Sequence, residues 1–420
     1  MPKQLNWLSL PVEIWLQILG LKIPLRDLAE LCLTCYHFLS IARPVLYRHV
    51  TLTAEKDSHP NRAVTNTFAL LSRDVDLALR VREMTLDSHS RSEFYFQNPG
   101  LVDVPSLRNL RQLKRLTIIG DISRHATRTA MASFIEILHD LELDELRFPS
   151  PGRDFRPFIL PLTTPQLSQL ANPKHITFHG GAVDNEQRLV PRFHTIFTAA
   201  GPTLTSLSLT GGCLHLNVFF ALHFPHLRSL AIINTFDIQL SCPPGFNAFL
   251  SAHHETIEDL HLGYTERHNL ATAGVLSPAA ILFDAASELH PQFLPNLRVF
   301  RGHCQNLEMM ARARMRCLAN LRELTLGSAL QDPDLTVADI RRMLDALETA
   351  GRLDALKTLD CDLFQWDESE HDIVPTFVSR LGALCGPNLE VWRTLLPFAG
   401  SWSLDHFTAF PRLRNITRGT

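Results

Sequence analysis

LTSLSL at residues 204–209 returns as LRSLAI at 227–232 and as IEDLHL at 257–262. In each phrase the first, fourth and sixth positions are apolar. The closing residues alternate apolar and polar, the period-2 pattern of a strand with one buried face. The phrase recurs in both directions. Upstream it reads VREMTL from Val81, LKRLTI from Leu113, LDELRF from Leu143 and PKHITF from Pro173. Downstream it reads LRVFRG from Leu297, LRELTL from Leu321, LKTLDC from Leu356, LEVWRT from Leu389 and LRNITR from Leu413. The twelve copies start 23 to 40 residues apart, about 30 on average, and leucine makes up 70 of the 420 residues. A fixed period of this length is the mark of a repeat architecture.

Between the phrases lie helix-period segments: MASFIEILHDL from Met131, RFHTIFTAA from Arg192, FNAFLSAHH from Phe246, IRRMLDALETA from Ile340 and FVSRLGALC from Phe377. Gly201-Pro202, Gly351 and Gly386-Pro387 follow three of them, where a helix stops before the next strand. Strand, helix, strand at this spacing predicts parallel neighbours joined by right-handed crossovers. Twelve strands are too many for an eight-stranded barrel. The one-sided leucines also argue against a parallel sheet covered on both faces. The prediction is an open α/β solenoid over residues 81–420, with its parallel sheet on the concave face and its helices outside. It resembles the leucine-rich repeats, but the asparagine that follows the strand in many of them is mostly missing.

Charge and cysteine usage exclude other classes. Forty basic against forty-three acidic residues give a formal −3, which speaks against a nucleic-acid binder working by bulk charge. The expectation is no nucleic acid and no membrane, since no apolar run approaches the roughly 20 residues that span a bilayer. Residues 1–15 also lack a signal peptide's apolar stretch. The eight cysteines are scattered, as in reduced proteins of the cytoplasm or nucleus. Cys32 and Cys35 form a lone C-x-x-C inside a helical apolar pattern, which suits core cysteines better than zinc.

The first fifty residues follow a different rule. LPVEIWLQIL places Pro11 at the start of a helix and Glu13 in its first turn, where the helix dipole favours a carboxylate. A second helical pattern starts at Pro24, and its residues Leu28, Leu31, Cys35 and Phe38 form an apolar stripe. Pro44 interrupts, and residues 46–52 read as a turn into an extended segment. Three short helices make a core too small to be comfortable alone. Part of their large apolar surface therefore calls for an outside partner.

The stretch SLPVEIWLQILGLKIPLRDLAELCLTCYHFLSIARPVLYRHVTL resembles an F-box. The resemblance rests on Leu10-Pro11 with Glu13-Ile14, on Ile18-Leu19, on Asp27-Leu28, and on Leu31, Cys35 and Phe38. Its tail, Ala42-Arg43-Pro44-x-Leu46-Tyr47-Arg48-x-Val50, is similar to the ending common in fungal F-box proteins. The link from Gly20 to Asp27 is one residue longer than usual. The resemblance implies a small three-helix F-box at 1–52, a connecting helical segment at 53–80, and the solenoid at 81–420. It also implies a role: docking on a Skp-type adaptor and cullin scaffold of a ubiquitin ligase, while the repeats hold the target protein. The adaptor-binding residues would be Leu10, Pro11, Glu13, Ile14, Ile18, Leu28 and Leu31.

Strand alternation nominates the outward positions His175, His179, Ser206, Ser208, Asp259, His261, Glu323, Asp360 and Asp362 for target binding. The strands of His175 and Asp259 are three repeats apart, about 14 Å at about 4.8 Å per strand, too far to share an ion. No metal or other cofactor is expected. His253-His254-Glu255 at a helix end reads as helix-terminal cations facing the partial negative charge of that end. The arginines of RARMRCLANLR at 312–322 are spaced by two, which scatters them on a helix. Residues 360–372 hold six acids and no Lys or Arg, and read as a solvated loop that also contains Trp366. No P-loop, G-x-S-x-G, H-E-x-x-H or G-x-G-x-x-G motif is present, so no enzyme is expected. The alternatives are a repeat scaffold without a ligase role, its helical start being only a cap, and a hydrolase or transferase with a novel site.

Overall fold

The computed structural model describes residues 11–19, 23–53, 62–87, 107–119, 128–148, 163–169, 173–179, 190–210, 219–234, 245–264, 283, 289–326, 337–351, 353–361, 373–393 and 408–417. The chain forms two compact units, residues 1–174 and 175–420.

The first unit opens with three helices, α1 (Val12–Leu19), α2 (Leu25–Thr34) and α3 (Tyr36–Leu46). Strand β1 (His49–Thr53) follows α3 almost at once, so the sheet begins inside the stretch that resembles an F-box. Then come α4 (Arg62–Arg73), α5 (Val75–Ala78), β2 (Glu83–Asp87), β3 (Arg115–Ile119), α6 (Arg128–Asp140), β4 (Glu145–Phe148) and α7 (Thr164–Gln169). Strands β1 to β4 lie side by side in chain order, and each pairing is parallel.

The second unit runs β5 (His175–His179), α8 (Val190–Ala200), β6 (Ser206–Thr210), β7 (Ser229–Asn234), α9 (Phe246–Ala252) and β8 (Asp259–Tyr264). It continues with β9 (Val299–Gly302), α10 (Cys304–Arg312), a 3-10 turn (Arg316–Asn320), β10 (Glu323–Leu326) and α11 (Val337–Ala350). It ends with β11 (Thr358–Cys361), α12 (Ile373–Cys385), β12 (Val391–Arg393) and β13 (Asn415–Thr417). Its nine strands again pair parallel, each with its predecessor and successor in the chain. An α/β solenoid is the result: open parallel sheet, helices between strands, no reversal of direction.

Every one of the twelve phrases lies on a strand, β2 through β13. Their first residues are buried from Val81 to Leu389, and Leu413 is half-buried; alternate strand residues are buried too, as with Leu204, Leu207 and Leu209 in one repeat and Leu321, Leu324 and Leu326 in another. The intervening strand residues stay partly open. Burying one row and wetting the other is what a period of two produces on a pleated chain.

Successive repeats are tied just before each strand. Backbone N–H groups of Arg228, Glu258, Arg298, Arg322 and Lys357 each donate to the equivalent carbonyl of the preceding repeat at 2.7–2.9 Å. Asparagines add a side-chain rung. Asn296 Nδ2 donates to Glu255 O at 2.7 Å, Asn320 Nδ2 to Pro295 O at 3.3 Å and Asn388 Nδ2 to Asp354 O at 2.7 Å. The asparagine after the strand is thus replaced, in these repeats, by one just ahead of the first leucine.

Three local expectations are corrected. Cys35 is extended (φ −164°, ψ 163°) and separates α2 from α3, so the stripe Leu28, Leu31, Cys35, Phe38 does not lie on one helix. Cys35 is exposed and Cys32 half-buried, not a pair of core cysteines. Pro44 sits inside α3 rather than ending it. In the last turn a proline removes only the bond to the carbonyl four residues back, here on exposed Ser40.

Gly351 takes the left-handed conformation (φ 119°) that favours glycine after α11. Gly386 is glycine for a different reason: a Cβ there would fall on the carbonyl oxygens of Ala409 and Gly382. Gly386→Ala is expected to cost about 1–3 kcal/mol by overpacking. Urea denaturation would measure it, and a midpoint unchanged from wild type would show that the contact is not tight.

Candidate protein-docking surfaces

The three N-terminal helices enclose a small core of Leu19, Leu28, Ile41 and Ala42, flanked by Trp15, Ile23, Leu31, Cys32, Val45 and Leu46. Trp15 meets Phe38 edge to face, ring centres 4.8 Å apart. The carbonyl of Pro11 accepts the first bonds of α1, from Ile14 N at 3.1 Å and Trp15 N at 3.3 Å. That of Pro24 accepts from Leu28 N at 3.1 Å.

This packing sorts the residues proposed for adaptor binding. Pro11, Glu13 and Ile14 are exposed, Ile14 at 40%, and Ile18 is half-buried. Leu28 is 3% exposed and belongs to the helical core, so it has no surface to offer a partner. Leu31 is half-buried and packs against the same core. Leu10 lies outside the described residues. The helices also expose Val12, Leu33 (86%), Tyr36 (84%) and Leu39, which sequence reasoning missed. The available signal was an apolar residue opposite a stripe already assigned to the core.

A second surface is formed by the outward strand residues. In the first unit it neutralises itself. Glu83 binds His49 Nδ1 and Arg115 at 2.9 Å each, and Glu145 binds Arg115 at 3.3 Å and Arg147 at 2.6 Å.

In the second unit the register brings most of the nominated target-binding residues into two adjacent rows. The first runs His175, Ser206, Ser229, Asp259 across β5 to β8. Next to it run Ser208, Ala231, His261 and Arg301 from β6 to β9, with Asp360 of β11 beside Thr325 of β10. Glu323 is exposed on β10, opposite Val299 and Thr358. His179 lies on β5 opposite Thr210, and Asp362 lies outside the described residues, as do Trp366 and most of the acidic stretch. The small residues Ser229 and Ala231 and the cation Arg301 complete the rows without having been singled out.

Electrostatics distinguishes the middle of these rows. Ser229 Oγ donates to Asp259 Oδ2 at 3.3 Å, while burial raises the Asp259 carboxyl against the pull of Arg301. Burial, with Arg301 nearby, lowers His261 to about 4, so its imidazole is neutral. Arg301 reaches Glu323 at 3.9 Å. Such rows of hydroxyl, imidazole, carboxylate and guanidinium suit recognition of a polar protein surface.

His253 is no cation at a helix end. It is 2% exposed. Its Nε2 accepts from Phe224 N at 2.8 Å, and its Nδ1 lies 2.7 Å from Phe249 O, so Nδ1 carries the proton. Burial is the main cause lowering its pKa. Nor do the arginines of 312–322 share a helix: Arg312 ends α10, Arg314 is left-handed (φ 51°), and Arg316 begins a 3-10 turn. Among the described residues no cluster of His, Cys, Asp or Glu is arranged to hold a metal ion, and no helix is long and apolar enough to cross a membrane.

Comparison with curated protein sequences gives no match. Among solved structures, the leucine-rich repeat-containing protein LegL7 from Legionella pneumophila is similar at 15% identity and a TM-score of 0.41, with 87% of this chain and 97% of that one covered. Residues 7–53 match the family model of the F-box-like domain, which carries no indication of lineage; the chain has an F-box-like domain at its N-terminus, followed by the strands and helices of the α/β solenoid.

Proposed function

We propose that this protein is the substrate-recognition subunit of a cullin–RING ubiquitin ligase, and not itself an enzyme. Its F-box-like helices dock a Skp-type adaptor, which connects it to the cullin scaffold. The outward strand face of the second unit receives the target protein, in the cytoplasm or nucleus where such ligases work. The observation that carries the reading is apolar exposure on the matched domain. Val12, Ile14, Leu33, Tyr36 and Leu39 stand open on three helices whose own core is already filled. Large exposed apolar patches mark interaction sites, and an apolar helical face is a sufficient docking surface.

The test is reconstitution from purified parts. The full chain should co-elute with a Skp-type adaptor and, through it, with the N-terminal half of a cullin. Ile14→Glu with Leu33→Glu should weaken adaptor binding at least tenfold in calorimetry while leaving the circular dichroism spectrum unchanged. Absence of adaptor binding by the wild-type chain would sink the ligase reading and leave a repeat scaffold capped by three helices.

A further inference from the structure

The arginines of RARMRCLANLR are scattered by their spacing, yet the fold gathers three of them at one edge of the sheet. Gly302 ends β9, Cys304 starts α10, and β10 runs parallel to β9, so α10 carries the chain back to the edge where both strands begin. Arg314 and the 3-10 turn that starts at Arg316 lie on this return. Two bonds fasten the turn to the loop ahead of β9. Arg316 N donates to Pro291 O at 2.9 Å, and Asn320 Nδ2 to Pro295 O at 3.3 Å. Arg298 and Arg322 stand one residue before β9 and β10, side by side, with Arg322 N donating to Arg298 O at 2.7 Å.

Arg298, Arg314, Arg316 and Arg322 are all exposed, and among the described residues none of the four side chains has an ion-pair or hydrogen-bond partner. The surrounding carboxylates are engaged by other cations. Glu258 lies 3.6 Å from Arg228, Glu323 3.9 Å from Arg301, Glu390 3.2 Å from Lys357 and Glu255 3.8 Å from His254, while Glu308 binds Arg312. Asp354 is one repeat further on, ahead of β11. Like charges on neighbouring strand positions repel, and here the chain supplies nothing to offset the repulsion of Arg298 and Arg322. Each guanidinium is a planar fork of donors that fits a carboxylate through two parallel bonds.

We propose that this edge of the second unit binds an acidic segment of the target protein, its Asp and Glu carboxylates seated on Arg298, Arg314, Arg316 and Arg322. This rests on the reading of the second unit as the target-binding part. Charge complementarity identifies the occupant. The edge adjoins the outward strand face, since Arg298 precedes Val299 and Arg322 precedes Glu323, so one target reaches both. A nucleic acid fits less well, because four cations are few against a phosphate backbone and the chain carries a formal −3.

The experiment measures fluorescence anisotropy of a labelled octaglutamate peptide titrated with the full chain at about 100 mM salt. Arg298→Gln with Arg322→Gln should weaken binding about tenfold, with a melting temperature near wild type because both side chains are in water. Arg341→Gln with Arg393→Gln removes the same charge from two other exposed arginines without partners among the described residues, on α11 and β12, and should leave binding unchanged. Equal losses in the two variants, no peptide binding by the wild-type chain, or tighter binding of an oligothymidylate of equal charge would each overturn the proposal. Adaptor binding is measured separately, so its absence leaves the acidic-segment site standing, and failure of the peptide leaves adaptor docking standing. Should the first variant fail to fold, hydrogen exchange on the wild-type chain decides. Slower exchange at residues 298–302 and 313–323 on adding peptide supports the site, and unchanged exchange there refutes it.

Discussion

His253→Ala should destabilise the protein by about 3–5 kcal/mol, the range expected when a large buried side chain is removed and a buried N–H loses its acceptor. The ring lies 4.3 Å from Phe249 and 5.1 Å from His223, centre to centre, and joins the end of α9 to the loop carrying Phe224. Removing it opens a cavity among aromatic rings and strands the Phe224 N–H. Urea denaturation would measure the loss, and a cost below 1 kcal/mol would mean that the histidine is dispensable. The same side chain sets a pH response. Because Nε2 must accept from an N–H, a proton there breaks the bond, and the folded state resists protonation. Below the unfolded value near 6.5, stability should fall by up to about 1.4 kcal/mol per pH unit for each such histidine. For His261 the fall ends at about 4. Above pH 6.5 neither histidine contributes a slope. His253→Ala should show a shallower decline than wild type between pH 6.5 and 5, and equal slopes would refute the neutral assignment.

Trp392→Ala should cost a similar amount, about 3–5 kcal/mol. Trp392 is fully buried on β12, in register with Leu359 of β11 and Ile416 of β13, and its ring centre is 5.5 Å from that of Phe410. Beyond it, among the described residues, only the three residues of β13 pair with the sheet. Truncation therefore removes the largest fully buried side chain among the described residues and leaves a cavity against Phe410. Hydrogen exchange should show residues 415–417 losing protection before the rest of the unit. Retained protection there, with a stability change under 1 kcal/mol, would show that β13 is held by something other than this ring.

The repeats were legible because their signal is local. A strand needs only alternation, and each phrase carries it within six residues. The helices between phrases were legible for the same reason, and the glycines at 351 and 386 marked their ends. At Gly386 the sign was right for a partly different cause, since the close approach of Ala409 cannot be seen from residues 377–387 alone. His253 shows the same limit: a histidine after a helix looks like a cation until the N–H of a distant loop turns its ring neutral.

The N-terminal helices mark the boundary most sharply. Order and spacing from Pro11 to Val50 identified the F-box-like domain, and the stripe of Leu28 and Leu31 identified a packed face. Sequence also placed His175, Ser206 and Asp259 on the outward side of their strands. Which apolar residues the helices spend on their own core, and which they leave for a partner, was decided only in three dimensions. The break at Cys35 turns α3 relative to α2, so Leu28 is enclosed while Leu33, Tyr36 and Leu39 remain outside. Periodicity reports how side chains are distributed around one helix or strand. Burial depends on which neighbour arrives at each face, and that neighbour comes from elsewhere in the chain: Asp74 beside Arg43, Arg301 beside His261, Phe224 beside His253.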